Sequence, residues 1–517
     1  MGLTSEHFGD RKGARPWLLF ALALVIVAAG ALWFLFPHQP PSTTLDRMHV
    51  AVLPFAGLSG TDEYLGDGLA EEVMHALGAI ADIRVVAKTS SFGFRKDGDV
   101  RTIGRKLRAG SVLEGSVQRD GDRLRVTAQL SDANTGLPQW SERYDRRMSD
   151  IFELENQIAT GIVARLVGTL APGARTSTAP TADIEAYMLF LRANHRMRQR
   201  GAENLTHAID LYQQAIGRDG NFGRAYAGLA EAFMLQPGYA GGSEKAAHAR
   251  ALAAAGRAES LGEGTGHALG VRAFVHFRSR EWQAAHDDFE RAIATSPNDS
   301  DLLQWYSQYL ASIGWIERAE RAARDAVAAD PLSPVANQRA GVVSLWVNDP
   351  DSADDHFTLA SNVGIQGTGQ PEAWIAFLLN EGKLAEARAA LMDTQRSRGQ
   401  STDWIDPVFA AMTRQGPKQA ALDALARDYA AGSLGTPMYV GALFFVGDID
   451  GLYAAMDRVV ASGEPFDVEV FFSRMGRPFR KDPRFVPLMT ELGLIDFWDR
   501  AGWPDLCARD GGRVVCR

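Results

Sequence analysis

Residues 282–297 read WQAAHDDFERAIATSP and set Ala285, Phe289 and Ala292 at i, i+4 and i+7, ending on Pro297. Apolar residues at that spacing share one face of an α-helix. Proline suits the first turn of the next helix, where its missing N–H costs nothing. The pattern returns 34 residues on, at Ala319, Ala323, Ala326 and Pro331, and again at Ala353, Phe357, Ala360 and Ile365. One period earlier stand Ala251, Ala255, Ala258 and Glu263. Earlier still, separated by a longer loop, come Ala208, Tyr212, Ala215 and Gly220. A sixth copy keeps Ala387 and Leu391. First-helix positions recur too, with Tyr226, Leu229, Ala230 and Phe233 matched by Leu303, Tyr306, Ser307 and Leu310. Each copy is a helix pair that cannot bury its apolar face alone. The pairs therefore stack into a superhelix with a groove.

A 34-residue period with small residues between paired helices is the tetratricopeptide (TPR) signature. It predicts an α-solenoid of about six TPR helix pairs over residues 183–400. Repeat geometry puts Arg224, Glu231, His267, Phe274, Phe277, Gln304, Gln308 and Gln338 on the inner face. That mixture of polar and aromatic groups suits an extended peptide or a partner helix. Residues 401–517 stay helical in pattern but lose the repeat, as expected of a C-terminal extension and cap. Cys507 and Cys516 enclose eight residues, and a disulfide is expected there if the region lies outside the cytoplasm.

Before the array, residues 48–170 alternate strand and helix signals. HVAVLPFAG (49–57) is a short apolar run ending in Gly. Asp67 stands where an N-cap would open an amphipathic helix carrying Leu69, Val73, Leu77 and Ile80. IRVVAK (83–88) reads as a strand and VRTIGRKL (100–107) as a short helix. SVLEGSVQRDGDRLRVTAQLSD (111–132) is a hairpin about Asp120-Gly121. LPQWSERYDRR (137–147) is a further strand, and IFELENQIATGIVARLVGTL (151–170) a closing helix. The order predicts a small α/β domain with a mixed sheet. The fold class is thus α/β plus all-α. Residues 37–47 and 171–182 are Pro-rich and polar, and read as linkers.

Trp17 to Phe36 is apolar and uncharged for twenty residues, about the length that spans the ~30 Å hydrocarbon core. A transmembrane helix is expected over 16–36. Arg11, Lys12 and Arg15 precede it, and only Arg47 follows closely. The positive-inside rule puts residues 1–15 in the cytoplasm. In a bacterium this predicts a single-pass protein of the inner (cytoplasmic) membrane, with its bulk periplasmic.

The 517 residues carry a net charge of −9, which argues against general nucleic-acid binding. Two cysteines exclude a four-cysteine zinc site. No phosphate-binding loop, His-Glu-x-x-His or nucleophile elbow is present. No metal site, cofactor or catalytic residue is assigned. Asp62, Glu63, Asp67, Glu71 and Glu72 fit either an acid/base or cation site, or first-turn acids that match a helix dipole. Thr89-Ser90-Ser91-Phe92 with Arg95 fits an anion site or a plain polar loop.

VAVLPFAGLSG, DEYLGDGLAEEV, RVVAKTSSFGFR, IGRKLRAGSVLEGSVQRDGDRLRVTAQLSDANTG and WSERYDR, in that order, resemble the TolB-like amino-terminal domain that precedes TPR arrays in many bacterial proteins. DPRFVPLMTELGLIDFWDRAGWPDLC resembles the ends of those proteins. The resemblance implies an envelope or signalling role. Relatives carry an N-terminal adenylate or guanylate cyclase, or a winged-helix CadC-like DNA-binding module. The 15 residues before the apolar stretch are too few for either. The expected function is a membrane-anchored, non-enzymatic adaptor or sensor that binds a protein partner in the TPR groove. The rivals are a small-ligand-sensing regulatory subunit, with the ligand at the α/β domain, and an envelope assembly or export factor.

Overall fold

The apolar run at 49–57 breaks into two strands, β1 (His49–Val52) and β2 (Ala56–Gly57). Pro54 between them has no N–H to give a sheet, although the Leu53 N–H still reaches the Leu113 carbonyl at 2.9 Å. This is a computed structural model, and it describes residues 44–58, 62–78, 80, 82–95, 98–167, 179–262, 264–363, 375, 378–379, 381–397, 399–463, 468–473 and 476–517. The stub 1–15, the membrane helix expected at 16–36 and most of the linkers 37–47 and 171–182 lie outside the described residues. Among the described residues no helix is long and apolar enough to cross a membrane. Asp46–Arg517 pack as one unit.

After β2 come α1 (Glu63–Gly78), β3 (Arg84–Val85), α2 (Lys88–Phe92) and α3 (Val100–Leu107). Then follow β4 (Ser111–Asp120), β5 (Arg123–Asp132), β6 (Pro138–Arg147) and α4 (Ile151–Leu166). The sheet runs β3-β1-β4-β5-β6, with β2 also paired to β4. β1 pairs with β3 and β4 in parallel, while β4-β5-β6 form an antiparallel meander. This is the expected mixed sheet. Asp120 and Arg123 close the hairpin around Gly121, whose φ of +60° requires a residue tolerant of that region. Leu124, Val126, Ala128 and Leu130 alternate into the core. Two local expectations are corrected. The strand at 83–88 shortens to two residues because α2 starts at Lys88. Asp67 is no cap: its helix starts four residues earlier, and Asp67 is wholly buried in the second turn.

The helices beyond residue 183 pair as hairpins. α5 (Ile184–Gln199) pairs with α6 (Ala202–Arg218), and α7 (Gly223–Ala240) with α8 (Glu244–Ser260). α9 (Thr265–Arg278) pairs with α10 (Trp282–Thr295), and α11 (Ser300–Ser312) with α12 (Ile316–Ala329). α13 (Pro334–Val347) pairs with α14 (Pro350–Val363). The period positions are the buried ones: Ala208, Tyr212, Ala215, Ala251, Ala255, Ala258, Ala285, Phe289, Ala292, Ala319, Ala323, Ala326, Ala353 and Phe357. Small side chains there let the paired helices approach, and the ring fills the gap between pairs. The first helices α7, α9, α11 and α13 also pack on one another in turn. They form the inner, shorter side of the curve.

Helices continue through α15 (Leu384–Ser397), α16 (Ile405–Met412), α17 (Lys418–Ala430), α18 (Thr436–Val446) and α19 (Ile449–Ser462). The tail holds α20 (Arg477–Arg480), α21 (Phe485–Glu491), α22 (Leu494–Ala501) and a hairpin of β7 (Cys507–Asp510) and β8 (Arg513–Cys516). Cys507 and Cys516 are disulfide-bonded across that hairpin. The tail folds back on the array. Trp282 Nε1–H donates to the Leu492 carbonyl at 2.6 Å, and Trp498 Nε1–H to the Ile313 carbonyl at 2.9 Å.

Candidate functional site

Asp67 and Glu71 stand at i and i+4, so they share one face of α1. His195 and Arg198, at i and i+3, share one face of α5. The two helices pack together and their charges meet. The Asp67 carboxylate accepts from Arg198 at 2.6 Å, lies 2.8 Å from His195 Nδ1 and accepts from Arg95 at 2.5 Å. Burial alone would raise that carboxyl, but the His195 hydrogen bond and the charges of Arg198 and Arg95 hold it at about 2. Glu71 accepts from Arg198 and, at 3.4 Å, from Asn194.

One helix pair further, Arg224 of α7 binds Glu72 through both guanidinium nitrogens, at 2.8 and 2.5 Å. Behind them Glu155 of α4 is 6% exposed and accepts from the Tyr187 hydroxyl at 2.7 Å. Burial and the nearby Glu72 push the Glu155 carboxyl well above the carboxylate range. Arg224 is therefore no free groove residue. It clamps the α/β domain to the array.

Glu231 of α7 and His267 of α9 form the next contact, at 3.1 Å, with Asp299 4.0 Å from the other ring nitrogen. Burial would lower His267, but the nearby Asp299 carboxylate and the hydrogen bond and charge of Glu231 raise it to about 10. Burial would raise Glu231, but the His267 hydrogen bond and the charges of His267, Arg200 and Lys88 hold it at about 2. Burial, with the charges of Asp299 and Glu231, pushes Asp301 up to about 6, against Arg200 and Lys88. Lys88 comes from the α/β domain and also lies 3.7 Å from Glu71.

The last contact is at the turn before α13. The Ser90 backbone N–H donates to the Asp330 carboxylate at 3.0 Å, and its hydroxyl donates to the same oxygen. The Leu332 N–H donates to Ser90 Oγ at 2.8 Å. Ser90 is wholly buried and Asp330 is 3% exposed. Burial pushes the Asp330 carboxyl up, against hydrogen bonds from Ser90 and Thr89. The stretch Thr89–Phe92 is thus a helix seated on the array, and neither a polar loop nor an open anion site.

Among the expected groove residues, Glu231 pairs with His267, and the Phe274 and Phe277 rings meet edge to face at 5.8 Å. Phe274 is half-buried, its ring 5.9 Å from that of Trp305. Phe277 is corrected: at 3% exposed it lies in the core among Phe274, Trp282 and Tyr309, turned away from the groove. Gln304, Gln308 and Gln338 are half-buried on α11 and α13. Sequence reasoning missed Lys88, Ser90, His195, Arg198 and Asp330 as interface residues. The helical spacing of 67/71 and 195/198 was a signal. The partners lie some 128 residues apart, and Ser90 and Asp330 lie 240 apart, so nothing local links them. Where α5 meets the α/β domain, Asp62, Tyr64, Arg119, Gly121 and Arg192 line an open cleft of about 340 Å³.

No protein-family model matches the chain. It is 34% identical over 196 residues to "Putative adenylate cyclase 3" of Rhizobium meliloti (strain 1021), covering 37% of this chain and 33% of that protein. It is 21% identical over 314 residues to the transcriptional regulator HilA of Salmonella typhimurium, covering 60% of this chain and 55% of that one. The chain therefore spans about a third and about half of these curated relatives. Similar solved structures include YrrB, a TPR protein with an unusual peptide-binding site, at 18% identity and TM-score 0.25, covering 38% of this chain and 92% of that one. Yeast Tom70 is 14% identical with TM-score 0.31, covering 62% of this chain and 69% of that one.

Proposed function

We propose that this chain is a non-enzymatic regulatory scaffold that holds a protein partner on its helix array. The stack of helix pairs from Ile184 to Val363, with charged and aromatic side chains along the first helices, carries this reading. Residues 16–36 anchor it in the inner membrane, with 1–15 cytoplasmic and the bulk periplasmic. Residues 48–170 form a TolB-like domain, 183–400 the TPR array and 401–517 its extension. The names of the curated relatives, a cyclase and a transcriptional regulator, support a place in signalling. The disulfide between Cys507 and Cys516 fits an oxidising compartment.

The test is crosslinking in intact cells with the full chain, followed by identification of what co-purifies, beside a Gln304→Ala, Gln338→Ala variant. A discrete protein lost from the variant is the expected result. No discrete partner, or one indifferent to the variant, overturns the scaffold reading. The second reading is a small-ligand sensor at the cleft lined by Asp62, Tyr64, Arg119 and Arg192. It predicts that Arg119→Ala and Arg192→Ala abolish the cellular response while partner capture survives. Capture of outer-envelope components alone favours an assembly or export factor instead.

A further inference from the structure

The seam between α1 and α5 repeats one arrangement and then breaks it. Tyr64, Asp67 and Glu71 share one face of α1, and Arg192, His195 and Arg198 share one face of α5. Along most of the seam a cation of α5 meets a carboxylate of α1: His195 and Arg198 at Asp67, and Arg198 again at Glu71. At its open end Arg192 meets a tyrosine instead. The Arg192 guanidinium lies 5.0 Å from the centre of the Tyr64 ring, and its Nη2 donates to the Tyr64 hydroxyl at 3.4 Å. The hairpin of β4 and β5 brings a second cation to the same place. The Arg119 backbone N–H donates to the Asp62 carboxylate at 3.1 Å, and its Nε–H to the Gly121 carbonyl at 2.9 Å. Among the described residues neither Arg119 nor Arg192 forms an ion pair. Both line the open cleft of about 340 Å³. Asp62 lines it too, but that residue is 4% exposed and its carboxylate is turned to the Arg119 N–H. Asp120 follows Arg119 on β4 and so points to the opposite face of the sheet.

We infer that this cleft binds a small oxyanion, a phosphate or a dicarboxylate, whose oxygens bridge Arg119 of the sheet and Arg192 of the array. The inference rests on the sensor reading and names the class of its ligand. Each guanidinium is held by one neighbour, Arg192 by Tyr64 and Arg119 by the Gly121 carbonyl. Their remaining N–H groups are left to a ligand, and a planar fork of donors matches carboxylate and phosphate oxygens in pairs. The Tyr64 hydroxyl accepts from Arg192, so its own hydrogen is a further donor. The cleft has the size of a small-molecule site. Two unanswered cations favour an anion over a neutral or cationic ligand. Arg119 belongs to the α/β domain and Arg192 to the first helix of the array. A bridging anion therefore supplies the counter-charge that the seam lacks, and it stabilises the docked arrangement of the two by binding only that arrangement.

The experiment is calorimetric titration of the detergent-solubilised full chain with inorganic phosphate, glycerol 3-phosphate and succinate at constant ionic strength, with glycerol as the neutral control. Saturable binding of at least one anion, and none of glycerol, is expected. Arg119→Ala and Arg192→Ala should each weaken that binding at least about tenfold, the loss expected for charge-assisted hydrogen bonds. Tyr64→Phe keeps the ring against Arg192 and should weaken it less. The anion should raise the Tm of the wild type and leave that of both arginine variants unmoved. Arg119 is exposed, so Arg119→Ala tests the site where Arg192→Ala fails to fold. Binding of the phosphates alone, or of succinate alone, supports the inference and assigns the oxyanion. No saturable binding of any of the three, or binding that both arginine variants retain, overturns it. Anion binding beside a cellular response that both variants leave intact would sink the sensor reading and leave this site standing. No anion binding beside a response lost in both variants would sink the inference and leave the sensor reading.

Discussion

His267 is the residue on which the inner face turns. Its imidazole is held at about 10, against an ordinary value near 6.5, by Glu231 and Asp299. A histidine raised in the folded state stabilises fully below its unfolded value and loses that contribution as pH climbs through the folded one. His267→Gln should therefore melt well below wild type at pH 6. The gap in Tm should close steadily between about pH 6.5 and 10. A gap that stays constant across that range would show that His267 is not charged in the folded protein. Phe277 is a contrasting case. It packs against three rings in the core, so Phe277→Ala should cost about 3–5 kcal/mol in urea unfolding. Any loss of binding in that variant then reports damage to the fold, which is why the capture test relies on Gln304 and Gln338.

At the scale of elements, the interface depends on how closely α1 approaches the strand before it. The Phe55 N–H donates to the Gly66 carbonyl at 3.4 Å. A Cβ on Gly66 would stand 2.0 Å from the Phe55 carbonyl oxygen. A backbone atom cannot yield as a flexible side chain can, so Gly66→Ala should destabilise the chain by about 3 kcal/mol. It should also shift α1, carrying the neighbouring Asp67 away from His195 and Arg198. Thermal melts check the first effect, and loss of amide protection in 184–199 checks the second. Unchanged protection there would mean that α1 and α5 are held by apolar packing alone.

Across the whole molecule, the α/β domain and the array are joined by ion pairs whose carboxylates Asp67 and Glu72 are buried and whose cations are partly so. Arg224 faces two carboxyl groups, Glu72 and Glu155, one paired and one pushed toward its neutral form. Removing one partner of a buried pair leaves an uncompensated charge, at about 3–5 kcal/mol. Arg224→Leu should cost that much, and Glu72→Gln in the same chain should recover most of it. Glu155→Gln should cost little, since burial and the nearby Glu72 push that carboxyl up and the amide oxygen can still accept from Tyr187. A large loss from Glu155→Gln would show that Glu155 is ionised in the folded protein.

The helix pairs were legible because a 34-residue period repeats one local requirement, small residues where two helices touch, and Ala285, Phe289 and Ala292 are buried as that spacing demands. The hairpin at Gly121 and the mixed sheet were legible for the same reason: turn chemistry and alternation act over a few residues. The docked state of the inner face was not. Lys88 reads as the end of a strand, Ser90 as loop and Asp67 as a cap until α1, α2 and α5 come together. Local pattern constrains backbone conformation over a turn or two. Which distant carboxylate meets which distant cation depends on the desolvation and packing of the assembled chain, and those exist only once the helices and the sheet share a core.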